Sequence, residues 1–132
     1  MATVAIRGNG RNEIPLFVLR NADLQSTADQ SFAKQGSFTN YIVRRVVAKR
    51  VSGGVTVACA GGIYTAASKG GDALVAAAQS WAGVSGANKL TDATIAAVSL
   101  TDSHTATPIL SLTTGSTGAC VADVYMYGDV ID

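Results

Sequence analysis

His104, the only histidine in the chain, directly follows Asp102 and Ser103, so one short run holds a carboxylate, a hydroxyl and an imidazole. Those are the three groups of a nucleophilic triad, but consecutive side chains diverge and cannot align for proton relay. His104 therefore reads as a solvent-facing residue of a polar loop between Thr101 and Pro108. Cys59 and Cys120, with a single histidine, fall short of a zinc site. No Asp-x-Asp-x-Asp-Gly run offers a calcium loop. Asp123 and Asp129 share one side of a strand, about 20 Å apart at about 3.3 Å per residue, too far for paired glycosidase carboxylates. Gly8-Asn9-Gly10 lacks a third glycine, and Ser68-Lys69-Gly70-Gly71 reverses the Gly-Lys order of a phosphate loop. Both read as turns. The expectation is a chain without enzymatic activity, without a cofactor and without a metal.

One chemically marked cluster remains: Arg44, Arg45, Lys49 and Arg50. Nucleic acid is a poor match, because only Tyr41 interleaves with these cations and no stacking platform follows. The net charge of +1 argues the same way. A charge-protected strand edge, or a salt-bridging contact to an acidic subunit, suits them better. The second marked pair is Tyr125 and Tyr127 at strand spacing, beside Asp123 and Asp129. Tyrosine and arginine are enriched at the energetic centres of protein interfaces. These six residues, Arg44, Arg45, Lys49, Arg50, Tyr125 and Tyr127, are the candidate protein-interface positions.

The elements carrying them read as short strands separated by Gly, Asn, Asp, Ser and Thr. Ile14–Leu19 is an apolar strand that Pro15, lacking an N–H, forces to start late or lie at an edge. Residues 1–12 and 21–37 read as arm or loop. Tyr41–Val51 is a strand, with Tyr41, Val43, Arg45, Val47, Lys49 and Val51 on one side and Ile42, Arg44, Val46, Ala48 and Arg50 on the other. Gly53-Gly54 predicts a tight hairpin returning through Val55–Ala60, since a type I′ turn needs positive φ twice. Gly61-Gly62 breaks that strand, and Ile63–Ala66 continues it past a bulge. Residues 72–82 read as a short helix, with Leu74, Val75, Ala78, Trp81 and Ala82 on one face, or as a pair of strands. Thr94–Leu100 and Ile109–Thr113 are strands. Ala119–Ile131 alternates most clearly: Cys120, Ala122, Val124, Met126, Gly128 and Val130 face the core, and Val121, Asp123, Tyr125, Tyr127, Asp129 and Ile131 face outward. Seven or eight short strands with regular turn signals make a single all-β domain over residues 1–132, a sandwich or barrel.

Composition bounds the environment. Of the 132 residues, 48% are hydrophobic and only 14% charged, against roughly 25% charged in an ordinary soluble domain. No apolar run reaches the roughly 18 residues of a membrane span. Such a surface suits burial against other subunits. The charge is unevenly spread, with eight basic and three acidic side chains in residues 1–50 and two basic against six acidic in residues 51–132. That asymmetry predicts a basic pole and an acidic pole, suited to self-association or an oriented partner. No secretory signal opens the sequence, so synthesis in a cytoplasm and free buried thiols are expected.

Three phrases carry a family resemblance: Gly61-Gly62-Ile63-Tyr64-Thr65-Ala66-Ala67-Ser68-Lys69-Gly70-Gly71, Leu74-Val75-Ala76-Ala77-Ala78-Gln79, and Ala122-Asp123-Val124-Tyr125-Met126-Tyr127-Gly128-Asp129. With them, residues 38–131 resemble small structural proteins of tailed bacteriophage virions, most of all the capsid cement or head-decoration proteins. The resemblance implies a jelly-roll β-sandwich on the outer capsid surface, bound to neighbouring major capsid protein subunits and to itself as a dimer or trimer. It brings no catalytic residues. A tail, baseplate or fibre component is the second structural reading, and a carbohydrate-binding β-sandwich module the alternative from another class.

Overall fold

A computed structural model of the chain describes residues 14–53, 59–85, 89–96 and 102–132. The strands among these residues are β1 (Phe17–Asp23), β2 (Gln30–Ser31), β3 (Ala33–Lys34), β4 (Tyr41–Gly53), β5 (Ala60–Ala66), β6 (Gly70–Val75), β7 (Leu90–Ala93), β8 (Ile109–Thr114) and β9 (Cys120–Val130). They form two antiparallel sheets, ordered β3-β1-β9-β4-β7 and β2-β8-β5-β6. The pairing is nested: β1 lies on β9, β2 on β8, β4 on β7 and β5 on β6. The β4–β9 and β5–β8 contacts then complete each sheet. This is the connectivity of a jelly roll, and the expected all-β sandwich is present.

The alternation of β9 explains the core. Cys120, Ala122, Val124 and Met126 are fully buried, while the residues between them are half-exposed. From the other sheet, Ile63, Leu74, Leu110 and Leu112 join the same apolar cluster, so the two inner faces make one core. Pro15 acts as expected, and β1 begins only at Phe17. Phe17, Phe38 and Tyr41 pack edge to face at one end, with ring centroids 4.9–6.0 Å apart. Trp81 is buried, and its Nε1 donates to the Gly61 carbonyl at 3.0 Å.

On β4 the expected assignment of faces needs correction. Val43 pairs with Gly128 and Arg45 with Tyr127, which leaves Arg44 as an extra residue. One inserted residue reverses the parity of everything after it. Tyr41 and Val43 therefore share the core face with Val46 and Ala48. Arg45, Val47 and Lys49 point outward.

The Gly53-Gly54 hairpin is not seen among the described residues. β4 has β9 along one edge through Gly53 and β7 along the other, whereas β5 belongs to the second sheet. Gly54 and most of the proposed return strand Val55–Ala60 lie outside the described residues. Gly53 does have positive φ, +87°, but for another reason: a Cβ there would sit 2.1 Å from the Ala119 carbonyl oxygen. Gly61 and Gly62 do not break a strand either. They lie within β5, where Gly61 meets the Leu112 backbone and Gly62 the Val75 carbonyl and the Tyr64 ring.

Of the two readings of residues 72–82, the helix is overturned. Residues 72–75 belong to β6, residues 76–79 turn, and a short 3-10 helix spans Ala82–Ser85. Ladder partners outweighed local periodicity: Val75 pairs with Ile63 and bridges Ile95, and Ala78 on the supposed apolar face is exposed. Residues 21–37 are more than a loop, since β2 and β3 lie there with Leu24 and Phe32 buried. Of the expected Thr94–Leu100 strand, residues 94–96 carry only the isolated Ile95–Val75 bridge and residues 97–100 lie outside the described ones; the strand seen is β7, Leu90–Ala93, just upstream. Among the described residues no helix is long and apolar enough to cross a membrane.

Candidate interaction face

The outer face of the first sheet brings together five of the six sequence-chosen residues. Its middle row runs Val18–Tyr125–Val47–Asp92 across β1, β9, β4 and β7. Val18 and Val47 are only 3% and 6% exposed although they point away from the core. Tyr125 stands in register between them, half-exposed. The row below contains Asp123, Lys49 and Leu90, and the row above pairs Tyr127 with Arg45. The face therefore presents Tyr125, backed by two buried valines, at its centre and charged side chains around it, an arrangement suited to a protein contact.

Its charges are mostly paired within the molecule. Arg20 Nη1 lies 3.3 Å from Asp123 Oδ2, Arg44 Nε 2.9 Å from Asp129 Oδ2, and Arg45 Nη2 3.5 Å from Asp92 Oδ2. The Asn21 backbone N–H also donates to Asp123 Oδ1 at 2.8 Å. Exposed ion pairs of this kind contribute only about 0–1 kcal/mol each to stability. Their larger effect is to neutralise the face. They also cancel part of the uneven charge within the molecule, because they join arginines of the N-terminal part to aspartates of the C-terminal part. Asp123 and Asp129 serve different arginines.

Arg50 is the sixth residue, and the structure sets it apart. Its register partner is Ala122, a core-facing position, and its guanidinium lies close enough to Cys120 to lower that thiol's pKa. Burial works against this and leaves the Cys120 thiol above its ordinary value. Cys59 is raised too, by burial first and then by Cys120. Both cysteines are buried and unbridged, as expected. Val18, Arg20, Val47, Leu90 and Asp92 were not picked out from the sequence. The signal for Val47 was hidden by the bulge; that for Arg20 was its strand spacing from Val18.

A second feature lies at the end of the sandwich where β4 begins. A cleft of about 280 Å³ is lined by Asn40, Thr65, Asp72, Ser103, His104, Thr105 and Ala106. His104 is not solvent-facing, as its loop position suggested, but 7% exposed. Its backbone pairs both ways with Tyr41, at 2.8 and 3.0 Å, and its ring packs 6.0 Å from the Tyr41 ring. Its Nδ1 faces Asp72 Oδ2 at 3.8 Å rather than Asp102, and Nε2 is buried without a hydrogen-bond partner among the described residues. The Asp102-Ser103-His104 run thus forms no triad. Among the described residues no three His, Cys, Asp or Glu side chains cluster as a metal site. Comparisons with protein-family models, with curated proteins and with solved structures return no match.

Proposed function

We propose that this protein is a structural virion component, a capsid cement or decoration protein. It binds neighbouring major capsid protein subunits through the outer face of the β3-β1-β9-β4-β7 sheet and stabilises the shell of a tailed bacteriophage from outside. The observation that carries the reading is Tyr125, half-exposed at the centre of the outward face, seated in register between the buried Val18 and Val47 and ringed by internally neutralised charge. Such a face loses little on desolvation, since its arginines already have partners. The jelly-roll connectivity and the sequence resemblance support the same reading, although the fold also hosts lectins and other functions.

A cement adds contacts that exist only in the assembled particle, so it stabilises that particle by mass action, as a ligand stabilises a folded state. Shells made without this protein should assemble but rupture at lower temperature, and purified protein added back should restore resistance. Full stability of such shells, combined with failure of the particles to attach to cells, would assign the protein to the tail or to receptor binding instead.

A further inference from the structure

The charge left over by the internal ion pairs sits at the two ends of the sandwich. β4, 13 residues long, spans about 40 Å between them at about 3.3 Å per residue. At the Gly53 end Lys49 and Lys89 are exposed, and neither side chain has an ion-pair or hydrogen-bond partner among the described residues. They share one corner, because Lys49 is in register with Leu90 and the Lys89 carbonyl accepts from Arg50 N–H at 3.0 Å. The same corner exposes Val51 by 52% and Leu90 by 40%.

At the Tyr41 end lies the polar cleft. The Asp72 side chain is 64% exposed, and His104 Nδ1 is 3.8 Å from its Oδ2, beyond hydrogen-bonding reach. Asp102 is exposed on the same loop as His104. The cations of this end are engaged elsewhere: Arg44 with Asp129, Lys34 Nζ with the Phe38 carbonyl at 2.6 Å, and Lys69 Nζ with Ser111 Oγ at 3.0 Å. Asp132 is taken up by the Thr39 and Asn40 backbone N–H groups. Among the described residues, Asp72 and Asp102 are left without a lysine or arginine partner.

The cleft has the chemistry to receive an ammonium group. An ammonium brings three N–H donors on a flexible apolar stem. The cleft offers the Asp72 carboxylate and the hydroxyls of Thr65, Ser103 and Thr105. It also offers the Asn40 side-chain oxygen, since the Asn40 amide nitrogen already donates to Asp132. The wall is held in place by the His104–Tyr41 backbone pairing.

We propose that a second copy of this chain docks its Lys49/Lys89 corner onto the Asp72 cleft, seating an ammonium against Asp72 and covering Val51 and Leu90. Charge at the two ends of one molecule is complementary, a lysine pair at one and an unpaired carboxylate in a cleft at the other. Lys49 and Leu90 lie at the β7 edge of the outer sheet face, so self-association covers that edge and leaves the Val18–Tyr125–Val47 row and the Tyr127–Arg45 row open.

The test is sedimentation equilibrium of the purified full-length protein without shells. The wild type should associate at about 50 mM salt, with affinity falling about tenfold or more at about 500 mM, as screening shortens the reach of the charges. Asp72→Asn/Asp102→Asn and Lys49→Gln/Lys89→Gln should each be monomeric by themselves. Their equimolar mixture should associate again, because one keeps the lysine corner and the other the cleft. Circular dichroism checks folding, and the single variants Asp72→Asn and Lys89→Gln carry the same test if a double variant folds poorly. Wild-type association by either double variant, a monomeric wild type at low salt, or a mixture that stays monomeric would overturn the proposal. Because no shell is present, none of these outcomes bears on the shell contact.

Discussion

Arg20 and Tyr125 are locked together on the outer face: Arg20 Nη1 lies 3.3 Å from the Tyr125 hydroxyl, and its Cζ stands 5.8 Å from the ring centroid. Asp123 completes the group, accepting from Arg20 and, at 3.4 Å, from the Tyr125 hydroxyl. A cation over an exposed ring is worth about 0.5–1 kcal/mol. The arrangement fixes the Tyr125 side chain, in register between Val18 and Val47, before any partner arrives. A side chain already ordered loses less entropy on binding.

The Arg44 bulge makes deletion mutants discriminating. Removing Arg44 leaves Val43 opposite Gly128 and Arg45 opposite Tyr127, so the ladder becomes regular and every later side chain keeps its face. Loss of the Arg44–Asp129 pair costs about 0–1 kcal/mol at an exposed site. Deleting Val47 instead turns Ala48 outward and Lys49 into the core. Urea titration should show the Arg44 deletion folded with a modestly shifted midpoint, and the Val47 deletion unfolded. Equal damage from both would mean that the bulge is wrongly placed.

Gly53 tests a close approach. A valine there meets both a φ of +87° and the Ala119 carbonyl, 2.1 Å from the new Cβ. Left-handed strain alone costs about 1–3 kcal/mol for a non-glycine residue. Gly36, with φ +131°, has nothing closer than a side-chain atom at 4.0 Å. In thermal melts Gly53→Val should be destabilised well beyond Gly36→Ala. A Gly53→Val protein melting with the wild type would remove the close approach from the account.

The contrast between β9 and β4 shows what could be read from the sequence. β9 alternates without interruption from Cys120 to Met126, so its core face was legible residue by residue. β4 has equally strong strand character, but a bulge is invisible in an alternation pattern, and the outward Val47 was grouped with the core-facing Tyr41 and Val43. Gly53 was correctly marked as a special backbone position. Its role depends on Ala119, some sixty-six residues away, and no local rule contains that contact. The candidate face was half legible: tyrosine and arginine stood out by type, while Val18 and Val47 look like ordinary core valines until the sheet order is known. His104 was misjudged for the same reason, since its burial comes from Tyr41 on a distant strand.

The thiols tie stability to alkaline pH. Burial holds Cys59 and Cys120 above their ordinary value of 9.0, so the folded state keeps its thiol protons when the unfolded chain gives them up. Above about pH 9 the unfolded state binds fewer protons, and stability falls as pH rises. Tyr41, raised by burial of its ring, adds to the same trend at higher pH. Melting temperature should decline from pH 8 to pH 10 in the wild type and less steeply in Cys59→Ala/Cys120→Ala. A thiol reagent should be nearly inert toward folded protein and titrate two equivalents after unfolding without reductant. Fewer than two would reveal a bridge.

The shell contact predicts different behaviour for three neighbouring residues. Tyr125 lies at the centre of the outer face, Arg45 beside it with Asp92 at 3.5 Å, and Arg50 on the core-facing register next to Cys120. Truncating a central interface tyrosine costs about 2 kcal/mol or more, roughly thirtyfold in affinity. Tyr125→Ala should therefore lose shell binding by about that factor at low and high salt alike, since the loss is mainly of apolar contact. Arg45→Glu places a second carboxylate against Asp92 and should bind worst at low salt, recovering in part as screening rises. Arg50→Ala should bind as the wild type does, because its side chain does not belong to this face. The measurement is occupancy of empty shells by each purified variant, over a range of protein concentrations and at two ionic strengths. Wild-type occupancy by Tyr125→Ala together with loss by Arg50→Ala would move the contact off this sheet to the Gly53 end of the sandwich.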